Sequence, residues 1–236
     1  MRHFIQQTWQ RYCYHSCIMC RRKTKQPLCE ACFRYLPHHT HACYQCGNPL
    51  ITPIMYDNIC GQCLSQPPAF TRTVAPFKYE GHIQSWILSL KFNRCIRQAK
   101  LLANLFSRQL ENHYKHTTQP SLIIPIPLHQ QRQQHRGYNQ AQCIAYHVSK
   151  ITGIPINDSL LIRHKPTQAQ AKTNLKQRKN NVSNAFLCDS TPFPQHIALL
   201  DDVMTSGNTL NEACKTLKNA GAQHIDNWVI ARSYRH

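Results

Sequence analysis

Two groups of residues in this chain have the types and spacing to do chemistry. Eight cysteines form four Cys-x-x-Cys pairs: Cys17/Cys20, Cys29/Cys32, Cys43/Cys46 and Cys60/Cys63. A two-residue spacer lets one tight turn aim two thiolates at a single ion, and zinc takes four such soft ligands in a tetrahedron. The simplest pairing is sequential, with Cys17, Cys20, Cys29 and Cys32 on one ion and Cys43, Cys46, Cys60 and Cys63 on another. The spacing leaves open an interleaved cross-brace and a degenerate site, so one or two structural zinc ions are expected. Cys13 is either a spare thiol or a replacement for Cys17. Few aliphatic side chains accompany these cysteines, so metal binding should supply much of the segment's folding free energy. The second group follows the apolar run Ile197-Ala-Leu-Leu, which reads as a buried strand delivering Asp201 and Asp202 to its carboxyl end. Thr205, Ser206, Gly207, Asn208 and Thr209 then open a helix. Backbone N–H groups at a helix start cradle phosphate with help from the helix dipole. Gly207 lets the backbone approach closely, and the Ser206 and Thr209 hydroxyls add donors. The two acids cannot bind phosphate, but they can accept hydrogen bonds from a sugar diol beside it. Together these features imply a ribose 5-phosphate group.

The elements that must position these groups fall into two segments. Nine of the 13 cysteines precede residue 64, so residues 1–68 read as a double zinc ribbon, with Gln66-Pro67-Pro68 as the linker. From residue 69 to 236 the pattern is α/β. Thr73 to Tyr79, Ser121 to Pro127, Ile197 to Asp202 and Ile225 to Ala231 read as strands. Helical spacing joins Ile83, Trp86, Ile87 and Leu90; Leu101, Leu102, Leu105, Phe106 and Leu110; Ile144, Ala145, Val148 and Ile151; and Leu210, Ala213, Cys214 and Leu217. This alternation argues for a mostly parallel sheet with helices on both faces, whose ligands bind at the carboxyl ends of the strands. The 236 residues are 42% hydrophobic, enough for a packed core. No run of 18 apolar residues exists, which excludes an apolar membrane span. The N-terminus has no apolar stretch of the secretory kind, so a reducing, cytoplasmic location is expected, with cysteines as metal ligands and buried thiols.

Residues 199–209 look like the phosphoribosyl pyrophosphate (PRPP) motif of type I phosphoribosyltransferases. Three further segments resemble the ComF family: Pro125-Ile-Pro-Leu-His129 with Arg132 and Arg136-Gly-Tyr-Asn-Gln-Ala141; Tyr79-Glu-Gly81 running to Leu90-Lys91-Phe92; and Thr167-Gln-Ala-Gln170 running to Arg178-Lys-Asn-Asn181-Val through Ala185-Phe186. The four cysteine pairs followed by Pro-Pro-Ala-Phe70 also resemble the start of ComF proteins. The match covers nearly the whole chain, in the family's order. It implies a type I phosphoribosyltransferase-like parallel sheet flanked by helices, preceded by a small zinc-ribbon domain. Asp201 and Asp202 would engage the ribose hydroxyls and a Mg²⁺ held with the pyrophosphate. Thr205 to Thr209 would hold the 5-phosphate, and the Pro125 turn would stand at the pyrophosphate loop. Lys91, Arg132 and Arg136 are candidates to neutralise pyrophosphate charge. The polar, glycine-free stretch from Gln168 to Asn181 corresponds to the mobile hood, where Lys172, Lys176, Arg178 and Lys179 are candidates to close over pyrophosphate or DNA.

The resemblance also implies a role in natural transformation. There a ComF protein handles DNA imported as a single strand on the cytoplasmic side, alongside a ComF-operon helicase. The charge agrees: Lys plus Arg number 28 against 10 acids, a net charge of +18, and residues 90–180 hold 15 cations against only Glu111 and Asp158. PRPP needs far fewer cations than 15, whereas a single strand uses many in sequence-independent, salt-sensitive contacts. The run Arg21-Arg22-Lys23-Thr24-Lys25 could add phosphate contacts. Phe92, Tyr138 and Tyr146 are candidate stacking platforms, the two tyrosines also being candidates for the core. The alternative is an active phosphoribosyltransferase with an unknown acceptor; a sensor of nucleotide supply through PRPP is a third reading. Thr205 stands where purine-base enzymes of this superfamily often place an acid, which weighs against purine transfer. The chain opens Met1-Arg2 and not on a cysteine, so ammonia release from glutamine is not expected.

Overall fold

The computed structural model describes residues 15–50, 58–93, 96–165, 184–188 and 192–233. Among them the chain runs β1 (His15–Ser16), β2 (Lys23–Thr24), α1 (Glu30–Arg34), α2 (Gly61–Ser65), β3 (Arg72–Val74), β4 (Phe77–Lys78), α3 (Gly81–Phe92) and α4 (Arg97–His113). It continues with β5 (Leu122–Pro125), α5 (Gln130–Arg136), α6 (Gln140–Thr152), β6 (Leu161–Arg163), β7 (Phe186–Cys188), β8 (His196–Met204), α7 (Asn208–Asn219) and β9 (His224–Arg232).

The central strands are apolar on both sides, which suits a parallel sheet covered on both faces. Its order is β3-β9-β8-β5, every pair is parallel, and β4 pairs with β9 beyond β3. Side chains alternate across a strand. Ala198, Leu200, Trp228 and Ile230 therefore pack with α3, α4 and α6 through Ile83, Leu90, Leu102, Phe106, Ile144 and Val148. Ile197, Leu199 and Val229 pack on the opposite face with Leu210, Cys214 and Leu217 of α7 and with Leu161 and Phe186 of the antiparallel β6–β7 pair. The parallel sheet flanked by helices is the architecture the sequence pattern predicts.

Two details differ from that pattern. The strand expected over residues 73–79 is two strands, because Pro76 has no N–H to give a ladder; β3 and β4 pair with separate stretches of β9. The strand expected to end at Asp202 runs on to Met204, because Val203 and Met204 keep pairing with Ala231 and Arg232. Below the site, Asp226 on β9 is 1% exposed and gathers Arg72 Nε and His196 Nε2, each at 2.8 Å. The Tyr114 hydroxyl donates to the same carboxylate at 2.6 Å and accepts from Trp228 Nε1 at 2.8 Å. This buried network joins the end of α4 to the starts of β8 and β9.

The cysteine-rich segment rests against one side of the sheet. Arg108 of α4 forks onto both Glu30 oxygens at 2.8 and 2.9 Å and lies 3.8 Å over the Phe33 ring. Thr73 donates its N–H to the Tyr44 carbonyl and its hydroxyl to that of Gln45. Lys78 N–H reaches the Pro37 carbonyl at 2.8 Å.

Candidate functional site

The carboxyl end of β8 carries the two acids. Adjacent strand residues point to opposite faces, so each acid meets a different partner. Asp202 is buried and pairs at 2.8 Å with Lys91 Nζ near the end of α3. Burial works against the Lys91 charge, but Asp202 and then Asp201 hold its pKa above the ordinary value. Asp201 accepts the Asp202 N–H at 2.8 Å. Burial and the neighbouring Asp202 push the Asp201 carboxyl up to about 7, against the opposing pull of Lys91, that N–H and Arg163.

Arg163 is a site residue that sequence reasoning missed. It ends β6, is buried, and lies 5.4 Å from the Phe186 ring centroid. Burial and then Arg132 lower its pKa, while Asp201 raises it. Arg132 is in turn lowered by burial and by Arg136. Arg136 stacks 5.4 Å over Phe92, the neighbour of Lys91. The fold therefore brings Lys91 and Arg163 to the two carboxylates, with Arg132 beside Arg163 and Arg136 beside Arg132 and Phe92. Only a charged residue in a three-residue strand hinted at Arg163, and such a strand is too short for alternation to show.

The loop after β5 is fixed from behind. Ile126 donates its N–H to the Leu200 carbonyl at 2.8 Å, and its own carbonyl accepts from Asn139 Nδ2 at 2.9 Å. Asn139 also caps α6 through Oδ1 and the Ala141 N–H at 3.0 Å. His129 caps α5 through Nδ1. Tyr138 donates its hydroxyl to the Leu90 carbonyl, whereas Tyr146 is 52% exposed and Phe92 66%. Of the three expected stacking platforms, Phe92 and Tyr146 are the open ones.

The loop after β8 turns through Gly207 at φ +78°, and α7 starts with no side-chain cap and no acid in its first turn. The first-turn N–H groups carry partial positive charge that an anion can balance. Ser206 Oγ lies 3.4 Å from the Asn208 N–H, and Thr205 and Ser206 are exposed. Lys172, Lys176, Arg178 and Lys179 lie outside the described residues, as does Cys13.

The eight cysteines form two clusters in the sequential pairing. Sulfur atoms of Cys17, Cys20, Cys29 and Cys32 lie within 4.8 Å of one another, as do those of Cys43, Cys46, Cys60 and Cys63. The expected grouping is the one found, and the cross-brace is not. Cys20 and Cys29 sulfurs are 3.6 Å apart, and Cys46 and Cys60 sulfurs 3.7 Å. A tetrahedron with Zn–S bonds of about 2.3 Å has edges of roughly 3.8 Å, so both clusters fit structural zinc. Against the upward push of burial, N–H donors of Cys20, Cys29 and Met19 bring the Cys17 thiol down to about 6. Those of Cys46 and Cys60 likewise bring Cys43 to about 7.

A cysteine-knuckle segment joined to a parallel α/β sheet, with paired acids at a strand end before an uncapped helix, defines a class of two-part protein that comparisons identify further. A family described as "Double zinc ribbon domain" matches residues 13–64. Competence protein F of Haemophilus influenzae is 34% identical over 226 residues, covering 92% of this chain and 96% of that protein. DNA utilization protein YhgH of Escherichia coli strain K12 is 29% identical over 210 residues, covering 87% and 90%. Competence protein ComFC of Streptococcus pneumoniae is 25% identical over 158 residues, covering 67% of each. Adenine phosphoribosyltransferase from Leishmania donovani aligns over 69% of this chain and 74% of its own at 15% identity, with a TM-score of 0.29, too low to bear on the fold. The chain belongs to the competence protein F family. No helix among the described residues is long and apolar enough to cross a membrane.

Proposed function

We propose that this protein binds PRPP with Mg²⁺ at the end of β8 and handles single-stranded DNA in the cytoplasm during natural transformation. The observation that carries the ligand reading is the acid pair ahead of an uncapped helix start, with Lys91 paired to Asp202 and Arg163 close enough to pull on Asp201. Asp201 would face the ribose diol, Asp202 would orient Lys91, and the Thr205–Gly207 backbone would take the 5-phosphate. The DNA reading rests on the net charge of +18, on Phe92 under Arg136 and on Tyr146 with Lys150 at 5.5 Å. The relatives named for competence and DNA utilization support it. A ComF-operon helicase is the partner that this role would call for.

The test is a titration of labelled single-stranded DNA by fluorescence anisotropy, with and without saturating PRPP–Mg²⁺, beside calorimetry of PRPP–Mg²⁺ alone. Asp201→Asn with Asp202→Asn should weaken PRPP binding at least about tenfold, or ~1.4 kcal/mol, and leave DNA binding intact. With a few phosphate contacts, the logarithm of DNA affinity should fall with log salt at a slope of roughly −2 to −3. DNA binding no stronger than that of a matched basic control protein would remove the DNA half. Calorimetry without heat from PRPP would remove the ligand half. Pyrophosphate release in the same samples would favour an enzyme.

A further inference from the structure

Arg232, the last residue of β9, is 3% exposed and lies where the ribbon meets the sheet. Its guanidinium spans two separate devices. On one side, Nη1 donates to the carbonyls of Met204, at 2.9 Å, and Thr205, the residues that lead into the Gly207 turn. On the other, Nε donates to the Cys46 carbonyl at 3.1 Å and Nη2 to Asn48 Oδ1 at 2.5 Å. Cys46 is a ligand-bearing residue of the second cysteine cluster. Asn48 closes the same turn, its carbonyl accepting the Cys43 N–H at 2.7 Å. Gly47 at φ +65° keeps the turn close: a Cβ there would meet Thr73 Cγ2 at 3.4 Å and Arg232 Cδ at 3.6 Å.

The consequence follows from peptide geometry. In a trans peptide the carbonyl and the next N–H point in opposite directions. Arg232 draws the Met204 and Thr205 carbonyls inward, so the N–H groups of Thr205 and Ser206 are turned away from it. Two successive N–H groups facing outward make an anion-binding nest. Arg232 therefore acts on a ligand through the backbone, as a positioning residue. The planar fork supplies several donors in a fixed geometry, which a lysine ammonium does not reproduce.

We propose that Arg232 couples the second metal cluster to the phosphate loop, so that an anion at Thr205–Gly207 and a zinc ion at Cys43, Cys46, Cys60 and Cys63 each tighten the other's hold. Such coupling is reciprocal for binding free energies. The anion half rests on the PRPP reading above; the mechanical link does not.

The test uses full-length, zinc-loaded protein with two variants, Arg232→Lys and Asn48→Ala. The second removes one anchor of the fork without touching either site's ligands, and it serves if Arg232→Lys folds poorly. Hydrogen exchange is followed at residues 203–209, 43–48 and 28–36, the last beside the first cluster. Release of zinc to a chromogenic chelator is timed with and without PRPP–Mg²⁺. Exchange should rise several-fold at 203–209 and 43–48 together in both variants, with 28–36 unchanged. PRPP–Mg²⁺ should slow the release of one zinc equivalent at least about threefold in the wild type and not in Arg232→Lys. Faster exchange confined to 43–48, or spread through the whole chain, would overturn the coupling. Release unaffected by PRPP–Mg²⁺ that calorimetry shows to be bound would do the same. If calorimetry shows no PRPP binding, the ligand reading fails, and the exchange pattern still decides the role of Arg232.

Discussion

A half-buried carboxyl beside a second carboxylate resists ionisation, and Asp201, pushed from 3.8 to about 7, keeps its proton across the range where an unfolded aspartate has lost it. The sign of its effect on stability follows by linkage. Between those two values the folded state binds more protons than the unfolded one, so this group makes the unliganded protein less stable as pH rises from about 4 to about 7. Asp201→Asn removes that dependence. Thermal unfolding should show the variant more stable than the wild type near pH 8, with the gap closing towards pH 5. A gap that does not change with pH would mean that the carboxyl ionises normally. Ligand binding should run the other way, because a sugar diol or a Mg²⁺ complex needs the ionised form. PRPP affinity should therefore rise with pH and level off above about 7, by at most about tenfold per unit below it. The site would then sacrifice some apo stability at neutral pH for a carboxylate that the ligand restores.

At the scale of elements, Asn139 ties two loops together: its Oδ1 caps α6 while its Nδ2 holds the Ile126 carbonyl of the loop after β5. Asn139→Ala loses the cap, about 1 kcal/mol, and leaves a carbonyl unpaired at a further cost of ~1–3 kcal/mol. Asn139→Ser keeps a cap but cannot reach Ile126, so its urea midpoint should fall between those of the wild type and the alanine variant. Equal losses in both would show that the loop contact carries all the energy. The sequence made such a site partly legible. Cysteine knuckles and the stretch from Asp201 to Thr209 are contiguous, so spacing alone exposes their chemistry, and the apolar runs of β5, β8 and β9 announce the sheet. Arg163 and Arg232 are different. Their partners come from distant segments, Asn48 being 184 positions from Arg232, and an arginine in a strand reads locally as a surface charge. The division of residues 72–78 into β3 and β4 was signalled by Pro76, whose missing N–H weighs against one continuous ladder.

Across the whole molecule the two metal clusters are not equivalent. Cys17 and Cys29 belong to the same continuous core as Leu28, Phe33, Leu36, Phe106 and Trp228, so the first ribbon half is packed into the α/β domain. Cys43 and Cys63 are buried but stand outside both core clusters. Among the described residues, their half meets the sheet largely through hydrogen bonds from Thr73 and Arg232. Hydrogen bonds of that kind contribute about 1 kcal/mol each, whereas burying an aromatic or aliphatic side chain contributes ~1.5–3 kcal/mol. The second zinc ion should therefore leave first. Titration with a strong chelator should release two equivalents in two phases. The first phase should leave the near-ultraviolet dichroism of the buried Trp86 and Trp228 nearly unchanged, because both belong to the core that backs the other site. The second should proceed only with loss of that signal, since stripping Cys17, Cys20, Cys29 and Cys32 opens the core around Phe33. Cys60→Ser should abolish the fast phase and Cys20→Ser the slow one. Release of both ions in a single phase that parallels loss of the tryptophan signal would instead make the ribbon one cooperative unit, and the difference in packing between its halves would carry no energetic weight.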